Sequence, residues 1–216
     1  MIRISHIEKS FGALKVLKDV SFTASPAEVV GIVGASGAGK STFLQIASSL
    51  MKPDSGSVLI GGVDVFALGD KELSKFRGHN IGYVFQAHHL LPEFTAVENI
   101  MLPALIAGSP RRAARALALE LLGTMGLGER ATHKPSELSG GEQQRVAIAR
   151  ALINKPKVVF ADEPSGNLDS ATKAEIHKLF FTIRDRYGIT VIIVTHDREL
   201  AALCDRTLEM KDGIFV

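Results

Sequence analysis

Three short runs of consecutive apolar residues constrain the fold of this chain most strongly. They occupy residues 29–33, 158–161 and 190–195, and each run is followed directly by glycine or by polar residues. A strand that is apolar at nearly every position is buried on both faces, which is typical of parallel sheets covered by helices. Ligands of such sheets bind beyond the carboxyl ends of the strands, so we expect the functional site where these runs end.

The rest of the chain shows two other patterns. Over residues 1–25 apolar and polar side chains alternate, which indicates antiparallel strands with one solvent-facing side. Residues 111–125 and 142–153 carry apolar side chains at helical spacing, with no strong strand pattern between them. We therefore predict one α/β domain, residues 1–216, with a mostly parallel core sheet, N-terminal antiparallel strands and an inserted helical subdomain. The predicted core spans residues 1–86 and 156–216, and the helical subdomain spans residues 87–155.

Composition excludes several classes of protein. Charged residues make up 22% and hydrophobic residues 46% of the chain, which excludes a disordered or collagen-like protein. A net charge of +2 is too balanced for a protein that binds mainly phosphate backbones, so we expect no nucleic-acid partner. The single cysteine, Cys204, forms no intrachain disulfide. Because no stretch approaches the ~20 apolar residues of a membrane span and no signal-like segment follows Met1, we expect a cytoplasmic protein.

A phosphate-binding loop follows the first apolar run. The segment Gly34-Ala35-Ser36-Gly37-Ala38-Gly39-Lys40-Ser41 matches the pattern G-x-x-x-x-G-K-[ST]. In this pattern the glycines let backbone N–H groups face one anion, the lysine reaches the β- and γ-phosphates, and the serine hydroxyl ligates Mg²⁺. A glycine-rich turn before an ordinary helix is the alternative, and the preceding buried strand disfavours it. The predicted nucleotide-binding residues are Gly34, Ala35, Ser36, Gly37, Ala38, Gly39, Lys40, Ser41 and Thr42.

Two acidic residues follow the second apolar run. Asp162 lies at the predicted strand end, where a carboxylate suits Mg²⁺, usually through a water molecule. Glu163 is the natural candidate to orient or deprotonate an attacking water. A simple strand end before Pro164 is the alternative, and the phosphate loop elsewhere in the chain favours the catalytic interpretation.

The segment Leu138-Ser139-Gly140-Gly141-Glu142-Gln143 carries two patterns at once. Ser139 and Glu142 form a capping box at a helix start, and two glycines behind a serine also make an exposed anion-binding site there. The segment resembles the signature motif of the ABC ATPase family. This resemblance covers the whole chain, whose motifs stand in the family's order: Phe11, the phosphate loop, Gln86, the signature, Asp162 with Glu163, residues 165–169, and His196.

The resemblance implies roles for three residues that would mean little alone. Phe11 matches the aromatic residue that stacks on adenine, and a core aromatic between strands is the alternative. Gln86 matches the residue that reaches the metal and the attacking water. His196 matches the histidine that contacts the γ-phosphate.

The same resemblance implies ATP and Mg²⁺ as ligands and a homodimer as the active assembly. The implied catalytic residues are Lys40, Gln86, Glu163 and His196, and the implied Mg²⁺ ligands are Ser41, Gln86 and Asp162. The residues implied to contact the nucleotide across the dimer are Ser139, Gly140, Gly141 and Glu142. ATP then acts as the ligand that closes the dimer, and its hydrolysis removes the contacts that favour closure.

Residues 86–100 narrow the resemblance within the family. The run Gln86-Ala87-His88-His89-Leu90-Leu91-Pro92 resembles ATPase subunits of lipoprotein-releasing exporters and of the related macrolide exporters. This implies separate transmembrane permease subunits, contacted by residues 88–99, and a peripheral position on the cytoplasmic face of the inner membrane. For His88 and His89 a solvated loop is the alternative. The alternative functions are a macrolide-exporter-like complex and a cell-division mechanotransmission complex. ATPases of DNA repair need a long coiled coil and those of ribosomes need two ATPase halves in one chain, and neither fits 216 residues without heptads.

Overall fold

Strands and helices alternate through most of the chain, and the computed structural model describes all residues from Met1 to Val216. The strands, in chain order, are β1 (Ile2–Phe11), β2 (Leu14–Ala24), β3 (Val29–Val33), β4 (Ser55–Ile60), β5 (Val63–Asp64), β6 (Ile81–Val84), β7 (Val158–Asp162), β8 (Thr190–Val194), β9 (Arg206–Lys211) and β10 (Ile214–Phe215). The helices are α1 (Lys40–Ala47), α2 (Asp70–Asn80), α3 (Ala96–Ile106), α4 (Arg111–Thr124), α5 (Gly140–Leu152), α6 (Ser170–Tyr187) and α7 (Arg198–Leu203). The α/β class predicted from the sequence is confirmed.

The core sheet is parallel except at one edge. Its strand order is β10-β9-β3-β8-β7-β6, and only β10 runs antiparallel to its neighbour. The three apolar runs form β3, β7 and β8, whose residues are almost all buried, as expected for strands covered on both faces. Because these strands are parallel, their carboxyl ends meet at one edge, where Asp162 of β7 pairs with Val194 of β8.

A second, antiparallel sheet with the order β2-β1-β4-β5 packs near the core sheet. In β1 the side chains of Ile2, Ile4 and Ile7 are buried while Arg3 and His6 are exposed, so the alternation predicted for the N-terminal strands is confirmed. The buried face belongs to the same hydrophobic core as α1 and one face of β7 and β8. Helix α1 contacts β2, β7 and β8, and the loop that precedes it is thereby held at the edge where the strands end.

Three helices, α3, α4 and α5, lie between β6 and β7 in the chain, with no strand among them. Helices α4 and α5 match the two helices expected from apolar spacing, with end residues that differ slightly from the prediction. Helix α3 was not predicted, because its sequence is apolar nearly all round and Pro103 stands inside it. The three helices share one hydrophobic core with the other face of β7 and β8. None of the helices combines the length and the apolar character needed to cross a bilayer.

Candidate active site

The loop between β3 and α1 has a backbone shape that requires glycine. Gly34 has a φ of 150°, and a Cβ atom at this position would lie 2.1 Å from the carbonyl oxygen of Met210. Gly39, at the N-cap of α1, has a φ of 103°. The loop therefore leads directly into a helix start whose first backbone N–H groups have no partner inside the helix, which is the geometry that binds phosphate.

Lys40 extends over this loop. Its Nζ donates hydrogen bonds to the carbonyl oxygens of Gly34 at 2.8 Å and of Ala35 at 2.9 Å. The turn is closed by the backbone N–H of the buried Ala38, which donates to the carbonyl of Ala35 at 3.2 Å. The ammonium group is thus a point charge held above the N–H groups of the loop, where it can bind an anion together with them.

The hydroxyl of Ser41 and the carboxylate of Asp162 lie side by side. The Ser41 Oγ donates to Asp162 Oδ1 at 3.4 Å, although 121 residues separate the two in the chain. Burial raises the pKa of Asp162, and the negative charge of Glu163 adds to this, whereas the hydrogen bond from Ser41 acts in the opposite direction. A cation placed beside this partly buried carboxylate would favour its ionised form.

Glu163 and His196 form a pair beyond the ends of β7 and β8. The Glu163 Oε2 accepts a hydrogen bond from the backbone N–H of His196 at 3.2 Å and lies 2.9 Å from its Nδ1. Glu163 has a φ of 46°, a strained backbone for a side chain with a Cβ, and its own N–H donates to Val194. The surrounding structure therefore fixes where this carboxylate lies, and its side chain is only 16% exposed.

A cavity of about 450 Å³ brings these groups together at the sheet edge. The sequence-predicted residues that line it are Gly34, Ser36, Gly37, Gly39, Lys40, Ser41, Thr42, Glu163 and His196. Val16 of β2 and Val194 of β8 also line it and were not predicted. Their apolar side chains carry no motif, so only the packing of the antiparallel sheet against the loop reveals them.

The predicted residues outside this lining are Ala35, Ala38, Asp162, Phe11, Gln86 and the signature residues 139–142. Phe11, at the end of β1, is 49% exposed, so it is not a core aromatic between strands, and Lys9 Nζ lies 5.7 Å from its ring centroid. Gln86 follows β6, and its Nε2 donates to Asn167 Oδ1 at 3.4 Å. Asn167 belongs to the turn after Glu163, so this hydrogen bond connects Gln86 to the turn that follows β7. Sequence spacing alone does not reveal the contact.

The signature residues form the start of α5 and do not line the cavity. The predicted capping box is confirmed, since Ser139 Oγ accepts from the N–H of Glu142 at 3.3 Å and Glu142 Oε2 accepts from the N–H of Ser139 at 2.8 Å. Ser139 and Gly140 are exposed. Gly141 is buried against α6, where a Cβ would lie 2.3 Å from Cγ2 of Thr172. This helix start therefore presents the exposed Ser139 and Gly140 outside the cavity that the phosphate loop lines.

Residues 88–99 contain a bend that α5 holds in place. His88 and His89 both have positive φ, and their carbonyl oxygens accept hydrogen bonds from the guanidinium of Arg150, each at 2.6 Å. Burial lowers the pKa of His88, and the positive charge of Arg150 contributes. The bend adjoins a groove of about 490 Å³ whose apolar lining includes Phe85, Leu91, Leu102 and Ile106. The role of Arg150 was not predicted, because its partners are backbone atoms.

Comparison with known proteins agrees with this arrangement. The chain matches the ABC transporter family over residues 17–166. It is 58% identical over 213 residues to the lipoprotein-releasing system ATP-binding protein LolD of Bacteroides fragilis, with 99% of both chains covered. It is 53% identical to LolD of Porphyromonas gingivalis, covering 99% of this chain and 98% of that one.

Solved structures give the same result. The ATP-binding cassette MJ0796, in a dimeric post-hydrolysis state bound to ADP and Pi, superimposes with a TM-score of 0.90 at 40% identity, covering 100% of this chain and 96% of that chain. The cassette cbiO1 of Clostridium perfringens, part of the transporter complex cbiONQ, superimposes with a TM-score of 0.90 at 30% identity, covering 100% and 86%. With the phosphate loop, the acidic pair and the signature helix in place, the chain belongs to the ABC transporter family and has the fold of its ATP-binding cassette.

Proposed function

We propose that this chain is the ATP-hydrolysing subunit of a membrane complex that releases lipoproteins from the inner membrane, acting at its cytoplasmic face. The single observation that carries the ATPase assignment is the convergence of Lys40, Glu163 and His196 on one cavity. Phosphoryl transfer needs a cation that binds the phosphates, a carboxylate that orients the water and a second group near the γ-phosphate.

The residues present fit a Mg²⁺ ion. Ser41 Oγ and Asp162 Oδ1 lie 3.4 Å apart beside the phosphate loop, and both are hard oxygen donors. Ser41 and Asp162, with Gln86, are the residues that would hold it, and the ion would neutralise charge on the phosphates.

The remaining steps belong to the side chains of this protein. The backbone N–H groups of the loop and the Lys40 ammonium bind and orient the β- and γ-phosphates. Glu163 orients the attacking water and accepts its proton, and its carboxylate is held for that task by the N–H and the ring of His196. Phe11, exposed at the end of β1, offers a ring face for adenine.

A second copy of the chain completes the site in this proposal. The exposed helix start offers the N–H of Gly140 and the hydroxyl of Ser139 to an anion, yet it lies outside the cavity of its own chain. The dimeric state of the MJ0796 cassette supports an assembly in which each signature segment meets the nucleotide of the other copy. ATP would thereby favour the closed dimer over the open one.

Lipoprotein release is the favoured coupled function because several relatives at 47–58% identity over nearly the full chain carry the LolD name. These relatives do not favour the macrolide-exporter or cell-division alternatives. Separate membrane subunits would supply the path for the cargo, and the groove beside His88 and His89 is where we expect them to dock.

The test combines hydrolysis and release. We expect the purified chain to release phosphate from ATP with Mg²⁺, and Glu163→Gln to do so at least ~10²-fold more slowly, the scale for losing a positioned base. Glu120→Gln, the same change at an exposed site on α4, is the matched control and should retain wild-type turnover. Unchanged turnover in Glu163→Gln would contradict the role of Glu163.

The cargo is tested in proteoliposomes that contain the copurified membrane subunits and a lipoprotein. Wild-type complex should release the lipoprotein on addition of ATP, and the Glu163→Gln complex should not. ATP hydrolysis without release would contradict lipoprotein release while leaving the ATPase assignment intact.

A further inference from the structure

A buried polar contact joins the turn after β7 to helix α6. Ser165 and His177 are each only 2% exposed, and Ser165 Oγ lies 3.0 Å from His177 Nε2. His177 stands in the middle of α6, among the buried apolar residues Ile176, Phe180 and Ile183. Burying a polar ring among apolar residues costs free energy unless the ring is hydrogen-bonded. The hydrogen bond to Ser165 offsets that cost for His177.

The same ring nitrogen also approaches Asp197. His177 Nε2 lies 3.8 Å from Asp197 Oδ2, whose side chain is 16% exposed. The other carboxylate oxygen, Oδ1, accepts from the N–H groups of Glu199 and Leu200 and so caps α7. Asp197 is therefore fixed by the helix it caps, and its free oxygen is the one that faces His177.

These two contacts reach both turns that carry the reacting groups. Ser165 follows Glu163 by two residues, in a turn closed by the N–H of Gly166 donating to the Glu163 carbonyl at 3.1 Å. Asp197 directly follows His196. One imidazole nitrogen on α6 thus lies between the turn after β7 and the turn after β8.

The neutral form of the His177 ring is the one that fits its buried place between the two turns. Burial lowers the pKa of His177, and Lys173 lowers it further, while Asp197 and Glu199 oppose the shift. A neutral imidazole with its proton on Nε2 can donate to the Ser165 hydroxyl oxygen and face the free oxygen of Asp197 with the same N–H, without placing a charge in the core.

We propose that His177 is a positioning residue that ties the turn carrying Glu163 to the turn carrying His196 and keeps both side chains in place for ATP hydrolysis. The inference rests on the proposed ATPase function. It adds a residue of α6 that does not itself line the cavity.

The test compares variants of the full-length chain by ATP turnover, KM for ATP and thermal unfolding. His177→Phe keeps the ring and its volume but removes both nitrogens, and we expect kcat to fall about tenfold with KM within about twofold, because displaced reacting groups lower the rate of the bound complex. His177→Gln keeps a polar group that can reach Ser165 and should recover turnover to within about threefold of wild type. Ile183→Val, a mild core change on the same helix, is the control and should keep wild-type kcat.

Each outcome decides the inference. A kcat for His177→Phe equal to wild type would overturn it, as would a His177→Gln variant that loses as much activity as His177→Phe. If His177→Phe does not fold, Ser165→Ala removes the same hydrogen bond from the other side and must lower kcat with KM unchanged. A wild-type chain without ATP hydrolysis would contradict the proposed function itself, whereas an active wild type with unaffected variants contradicts this inference alone.

Discussion

Asp162 and Glu163 are adjacent in the chain, yet the fold gives their carboxylates different surroundings. Asp162 ends β7 and faces the hydroxyl of Ser41, and burial raises the pKa of its carboxyl. Glu163, at positive φ, is held instead by the N–H and ring of His196. Two carboxylates one residue apart are thereby suited to different tasks, one to hold a cation and one to act on a water.

Lys40 permits the most direct test at the scale of single residues. Its ammonium donates hydrogen bonds to the carbonyl oxygens of Gly34 and Ala35 in the phosphate loop. Lys40→Ala should weaken ATP binding about 10- to 100-fold, because it removes charge-assisted hydrogen bonds to phosphate. Titration calorimetry measures the affinity, with the exposed Lys71→Ala as the control. Wild-type affinity in Lys40→Ala would contradict the phosphate-binding role of the loop.

Among the elements, the strands at the site were predictable and several helices were not. The strands β3, β7 and β8 are buried on both faces, so nearly all their residues are apolar. The sequence shows each of them as a continuous apolar run. Helix α2 has no buried residue, so no apolar stripe marks it in the sequence. The contact of His177 with Ser165 joins two elements through single side chains, and no local spacing encodes it.

Helix α3 depends on the cap at its first turn. Thr95 Oγ1 accepts from the N–H of Glu98 and donates to Glu98 Oε2 at 2.8 Å, and Oε2 also accepts from the N–H of Thr95. Thr95→Ala should lower the free energy of unfolding by about 1 kcal/mol, measured by urea denaturation. Thr182→Ala, at an exposed site on α6, should change it by less than about 0.5 kcal/mol. Equal effects of the two changes would contradict the capping role.

The pH dependence of this effect has a definite sign. The hydrogen bond from the backbone of Thr95 is the main cause that lowers the pKa of Glu98 below its ordinary 4.5. The capping contribution of Glu98 is therefore complete above that value and is lost as the pH falls through the lowered pKa. Thr95→Ala removes the hydroxyl that donates to Glu98 Oε2. The difference in the free energy of unfolding between wild type and Thr95→Ala should therefore become smaller as the pH falls through the pKa of Glu98.

In the whole molecule, two of the predicted groups of site residues lie apart. The phosphate loop, Glu163 and His196 line one cavity, whereas Ser139 and Gly140 are exposed elsewhere at the start of α5. Short motifs predicted the phosphate loop, Glu163 and the helix start at Ser139 and Gly140, whereas His196 was identified only through the resemblance to the ABC ATPase family. The signature residues lie outside the cavity of their own chain. In the proposed dimer, each nucleotide would contact the phosphate loop of one copy and the signature segment of the other.

Sedimentation of the Glu163→Gln chain shows whether ATP joins two copies in this way. With ATP and Mg²⁺, Glu163→Gln should sediment as a dimer, and without nucleotide it should not, because ATP supplies the contacts that close the dimer. Adding Ser139→Arg places a bulky side chain at the exposed start of α5 and should abolish the dimer while ATP still binds, whereas adding Ser74→Arg on α2 should not. A dimer that persists in the Glu163→Gln, Ser139→Arg chain, or one that ignores ATP, would contradict the account.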